Sequence, residues 1–195
     1  MKQLSLKEAR KGFPVIGRFI NEVFGEREQQ VYDWLGKVKN NPTAKENNVL
    51  FVVGKQGSGK TLFEELVRLI FDQESVYISH EELYGDYNEH FHTKHIVTID
   101  APRIDDYFLE IIKVKSSAKT VPVNAKLRKP FVIHSKMNFL ITTNDFQGVR
   151  KAMFWNRNIL LFKTTGGNIT APPHSFDLQD ELEKLHLFLD NTSNK

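Results

Sequence analysis

Eight consecutive residues, Gly54-Lys-Gln-Gly-Ser-Gly-Lys60-Thr61, fit the pattern G-x-x-x-x-G-K-[ST]. A triphosphate needs unpaired backbone N–H groups aimed at it. A glycine turn entering a helix supplies them together with a favourable dipole. Lys60 would reach the β and γ phosphates, and the Thr61 hydroxyl would take one place in a Mg²⁺ shell. Gly54, Gln56, Gly57, Ser58, Gly59, Lys60 and Thr61 are therefore the candidate nucleotide-binding residues. An ordinary glycine turn is the competing reading.

The elements that must position this loop are legible on either side of it. Val49-Leu-Phe-Val-Val53 reads as a buried strand feeding the turn, and Leu62, Leu66, Leu69 and Ile70 mark a helix leaving it. Downstream, His95-Ile-Val-Thr-Ile-Asp100 is an apolar strand ending in a carboxylate, placed to hold Mg²⁺ at the C-terminal edge of a parallel sheet. Met137-Asn-Phe-Leu-Ile-Thr-Thr-Asn144 ends in an amide, Asn158-Ile-Leu-Leu-Phe162 closes the core, and Val76-Tyr-Ile78 is a further short strand. The fold class expected is α/β, a phosphate-loop core on a parallel sheet.

Before the loop, Val15, Ile16, Phe19, Ile20, Val23 and Phe24 form a helical apolar stripe after Pro14, followed by Val31, Leu35 and Val38. The polar stretch Asn40 to Asn48 then marks the boundary between an N-terminal helical subdomain, residues 1–46, and the core, residues 47–195. Leu178, Leu182, Leu185 and Leu189 line one face of a terminal helix.

At 195 residues and 40% hydrophobic, the chain suits one domain with a small appended subdomain. It has no cysteine, which excludes disulfides and cysteine-ligated zinc and fits a reducing compartment. No secretory signal or bilayer-length apolar run is present, so a cytoplasmic protein is expected. The net charge of +3 is unevenly spread. No acid lies between Glu110 and Asp145, a window holding Lys113, Lys115, Lys119, Lys126, Arg128, Lys129 and Lys136. Thr120 to Ala125 and Pro130 to His134 read as a β-hairpin whose tip carries Lys126, Arg128 and Lys129. Such a tip suits backbone phosphates of a polyanion, against the plainer reading of a solvated charged turn.

Taken in order, these motifs resemble a superfamily 3 helicase, in particular the helicase part of phage or plasmid primase-helicases. Gly54 to Thr61 matches motif A, Ile96 to Asp100 motif B, and the strand ending at Asn144 motif C. The basic hairpin stands where that family contacts DNA, and Phe154 to Phe162 resembles the stretch bearing its arginine finger. The resemblance implies an AAA+-like ATPase using ATP and Mg²⁺, assembled as a homo-oligomeric ring, usually a hexamer, that threads single-stranded DNA. A separate primase or initiator is an implied partner. Asn144 would orient the attacking water or sense the γ phosphate, and Arg157 would complete the neighbouring subunit's site, with Arg150 as the alternative finger.

One position departs from that family. The residue after the motif B aspartate, usually acidic and the general base for water, is Ala101. Asp105 and Asp106 are near enough in sequence to substitute if the Pro102 turn brings one back, although carboxylates there also suit a helix start. The alternative function is thus a non-hydrolysing ATP-binding ring or loader acting on DNA. A small-molecule kinase using the same loop is a third reading, opposed by the basic hairpin and Asn144. His90, His92 and His95 lie close together but without further ligands, and read as structural.

Overall fold

Val49–Val53 forms strand β1 and is buried along its whole length, which suits a strand covered on both faces. The computed structural model describes residues 6–155, 158–167, 169 and 178–192. Helices α1 (Leu6–Ala9), α2 (Pro14–Phe24) and α3 (Glu28–Asn40) precede β1, and α4 (Lys60–Phe71) follows the glycine turn. Then come β2 (Ser75–Ile78), the single turn α5 (Glu89–His92), β3 (Ile96–Asp100) and α6 (Asp106–Ser117). A hairpin, β4 (Thr120–Val123) with β5 (Phe131–His134), leads to β6 (Asn138–Thr143), α7 (Phe146–Trp155), β7 (Ile159–Lys163) and α8 (Leu178–Asp190).

Five of the strands form a parallel sheet in the order β2-β3-β6-β1-β7. The chain leaves β1 through α4 towards β2, and leaves β6 through α7 towards β7. The two crossovers depart from adjacent strands in opposite directions. In open α/β sheets the crevice at the carboxyl ends of two such strands is where ligands bind.

Strand alternation divides the interior in two. Leu50, Val52, Ile96, Leu140 and Phe162 face a core shared with α2, α3, α4 and α8. Val49, Phe51, Val97, Ile99, Phe139 and Ile141 face α6 and α7. The helices before residue 41 therefore bury their apolar stripe, Ile16, Phe19, Ile20 and Val23, in the same core as the sheet. α8 closes this layer with Leu185 and Leu189, each fully buried and contributing roughly 1.5–3 kcal/mol. Its Glu181 carboxylate accepts the Val15 and Ile16 amides at 3.0–3.2 Å, capping the start of α2, where Pro14 has no N–H and needs no acceptor.

The α4 stripe differs from the expected one. Leu66 and Ile70 are buried with Phe63, Val67 and Phe71, but Leu69 is 55% exposed. The inward face is rotated towards Phe63 and Val67, which also carries Glu64 inward against β3.

Candidate functional site

The glycine turn stands at the C-terminal edge of β1, pinned by Gly54 N–H to Thr143 O at 3.2 Å and by Thr164 N–H to Val53 O at 3.0 Å. Gly54 is required by space and Gly59 by both space and conformation. A Cβ on Gly54 would strike Thr164 Oγ1 and come within 2.7 Å of Ser58 Oγ. Gly59 has φ 85°, and a Cβ there would meet Val23 Cγ2 at 2.8 Å. Lys60 opens α4, and its ammonium donates to the Gly54 and Lys55 carbonyls, both at 2.9 Å. Burial holds that ammonium below the ordinary lysine range, and the negative charge of Asp100 acts against this. Ser58 and Thr164 keep buried hydroxyls that find no hydrogen-bond partner among the described residues.

β3 and β6 deliver the other two candidates to the same edge. Asp100 is the exposed last residue of β3, and its Oδ1 accepts from Thr142 Oγ1 at 2.9 Å. Asn144 follows β6 and, with Val53, Gly54, Lys55, Gln56, Phe146 and Lys163, lines a pocket of about 380 Å³. No group of three or more His, Cys, Asp or Glu residues suited to a metal occurs among the described residues. Of the expected cation ligands, Asp100 ends β3 at this edge and Thr61 is exposed at the start of α4. That set suits Mg²⁺, which takes one or two protein ligands and completes its octahedron with phosphate oxygens and water.

Ala101 is fully buried among Ile99, Ile104, Phe108 and Val149. Its side chain belongs to the α6/α7 core, so the position following Asp100 does not face the pocket. Neither nearby acid takes its place. Asp105 caps α6 by accepting the Phe108 amide at 2.8 Å, and Asp106 lies exposed in the first turn. Below the site, Glu64 is buried against Thr98 Oγ1 at 2.9 Å and Arg68 at 3.4 Å, and burial raises its pKa.

Asp145, Phe146 and Lys163 carried no motif in the sequence. Asp145 accepts the Ile104 amide at 3.0 Å and the Gly148 amide at 2.9 Å, tying the loop after β3 to the start of α7. Those two bonds hold its carboxyl below the usual range. Lys163 ends β7 and stands 5.6 Å from the Phe146 ring centroid. The one signal for Lys163 in the sequence was its place directly after the apolar run Asn158 to Phe162. Arg157 lies outside the described residues; Arg150 is exposed on α7.

The hairpin is a separate two-stranded sheet seated on the core by Val121. Asn88 fixes it, exchanging bonds with Asn124 at 2.8 and 3.2 Å and donating to Pro122 O at 3.3 Å. Lys126, Arg128 and Lys129 are exposed at its tip, with Lys126 5.5 Å from the Tyr87 ring centroid and Arg128 3.5 Å from Glu89. Lys115 does not join them: it is half-buried, 5.2 Å from the Phe91 centroid, and burial lowers its pKa. The histidines diverge as well. His90 lies beside Glu82 and His95 beside Glu74, while burial, reinforced by Lys115, pushes His92 down to about 4.

A family model described as a family of unknown function, DUF5906, matches residues 52–157. The chain belongs to this family. The DUF5906 span runs from β1 to the end of α7 and so contains the glycine turn, Asp100, the hairpin and Asn144. No curated protein matches the sequence. Among solved structures, the A form apo structure of the NrS-1 C-terminal region is similar, with TM-score 0.66 and 19% identity over 93% of this chain and 45% of that one. The apo structure of the NrS-1 C-terminal region (305-718) gives TM-score 0.63 and 19% identity over 92% of this chain and 44% of that one. The DUF5906 chain thus spans less than half the length of these structures and shares their fold.

Among the described residues no helix is long and apolar enough to cross a membrane.

Proposed function

We propose that this chain is the nucleotide-binding module of a DNA-translocating or DNA-unwinding ATPase of mobile-element replication, working as a ring on single-stranded DNA. The observation that carries the reading is the convergence at one sheet edge: Lys60 heading α4, Asp100 ending β3 and Asn144 following β6, around a glycine turn that tolerates no Cβ at Gly54. The strand order, with β6 between the loop strand and the aspartate strand, is consistent with an AAA+-like phosphate-loop core, and the DNA-contacting hairpin of the resembled family has a counterpart in β4–β5.

In this reading the backbone amides of residues 56–61 hold the phosphates, and Lys60 exchanges its two carbonyl partners for phosphate oxygens. Thr61 and Asp100 would hold Mg²⁺, which neutralises charge developing on the phosphates. Asn144 orients water from the β6 side. Lys126, Arg128 and Lys129 give sequence-independent, salt-sensitive contact with the strand.

The burial of Ala101 favours a second reading, an ATP-binding ring or loader that does not hydrolyse, since no acid stands where the general base belongs. ATP turnover with and without single-stranded DNA, recorded with assembly state, separates the two. Turnover that rises with DNA and disappears in Lys60→Ala supports the motor. ATP-dependent assembly without turnover supports the loader. Indifference to nucleotide in both assays sinks both readings.

A further inference from the structure

β7 pairs with β1 so that Lys163 stands beside Val53, the last strand residue before the glycine turn. Its neighbour Phe162 enters the core on the α4 side, so Lys163 projects to the opposite face, the one covered by α7. There its ammonium lies 5.6 Å from the centroid of Phe146, and both residues line the pocket that Gly54, Lys55, Gln56 and Asn144 complete. Lys60 meets the turn from the helix side, under the Gly54 and Lys55 carbonyls. Lys163 meets it from the strand side.

The pocket wall holds two lysines and two amides and no carboxylate. A cavity of about 380 Å³ with that lining favours an anion larger than a single ion or water. The Lys163 ammonium is exposed and rests on an aromatic face, a weak attachment that an incoming phosphate displaces readily.

We propose that Lys163 is a second phosphate-facing cation, supplied by the same chain that holds the loop, and that it contacts the terminal phosphate of a nucleoside triphosphate. This rests on the nucleotide reading above. It adds that discrimination between triphosphate and diphosphate is built into one subunit, before any neighbour contributes an arginine.

The test is binding of Mg²⁺ with a non-hydrolysable ATP analogue, and separately with ADP, by calorimetry on the full chain at concentrations below assembly. Lys163→Met is expected to weaken the analogue about tenfold and ADP less than about twofold, while Lys163→Arg retains the preference. Equal loss for both nucleotides, or no loss for either, overturns the role of Lys163. Wild-type protein that binds neither nucleotide overturns the nucleotide reading and this inference with it. Wild-type binding abolished by Lys60→Ala but untouched by Lys163→Met overturns this inference alone.

Discussion

At the residue scale, Ala101 shows how one methyl group can be misjudged from its neighbours. The resemblance to superfamily 3 helicases makes it the place expected for a water-activating acid, yet it is packed among Ile99, Ile104 and Val149 with no exposed surface. Ala101→Glu therefore places a carboxylate in an apolar core. It is expected to lower unfolding stability by at least about 2 kcal/mol in urea titration without raising turnover above that of the wild type. A variant as stable as wild type would mean that the side chain escapes to the pocket. Glu64 gives a pH dependence of a different kind. Burial raises its folded pKa above the unfolded one, so the folded state holds the proton longer and stability falls as pH rises from the ordinary glutamate range through the folded pKa. Glu64→Gln should flatten that stretch of a stability-against-pH curve. The acid-to-core inversion at Ala101 was not legible in the sequence, because strand alternation past the last ladder residue depends on how the Pro102 turn leaves the sheet. The glycine turn, Lys60 and Asp100 were legible, since each ends or begins an element whose period is plain.

At the element scale, the loops above the sheet are held by side chains with no motif to announce them. Asp145 ties two of them together and caps α7 through the Gly148 amide. Asp145→Ala should cost about 1 kcal/mol and loosen the turn after β3, read as faster amide exchange at Ile104. Its depressed pKa gives the opposite sign from Glu64: the stabilisation is present above the unfolded aspartate pKa and is lost as pH falls below it. His92 acts on the hairpin's support. Its imidazole is kept neutral down to about 4, whereas the unfolded histidine charges near 6.5, so stability declines as pH drops across that interval. His92→Phe should reduce the decline, with His95 and His186, also held low by burial, supplying what is left, as followed by thermal melts at stepped pH. The hairpin itself was readable from its alternation and turn residues. Its attachment through Asn88 and Asn124 was not, because those residues lie in different loops brought together only by the fold.

At the scale of the whole molecule, the basic window of the sequence stays at the surface except for Lys115, withdrawn over Phe91, and three of its exposed cations, Lys126, Arg128 and Lys129, stand at the hairpin tip. If the tip meets a nucleic acid backbone, the double variant Lys126→Ala and Lys129→Ala should weaken single-stranded DNA binding and reduce the salt slope by roughly one to two, in fluorescence anisotropy across a range of salt. An unchanged slope would move the contact elsewhere on the surface. The helices on either side of residue 46 were legible as separate stripes, but their shared burial with the sheet was not, since periodicity gives a face and never its partner.

The Glu181 cap on α2 joins residues more than 160 positions apart, and α8 seals the layer over Ile16, Tyr32 and Leu35. A contact of that sequence separation forms late, because loop closure must precede it. During synthesis the first helices emerge with their apolar stripe uncovered and wait for residues near 189 before that layer can close. Vulnerability of these helices to proteases and chaperone capture should thus fall abruptly as α8 leaves the ribosome, so α8 acts as the timer of this layer.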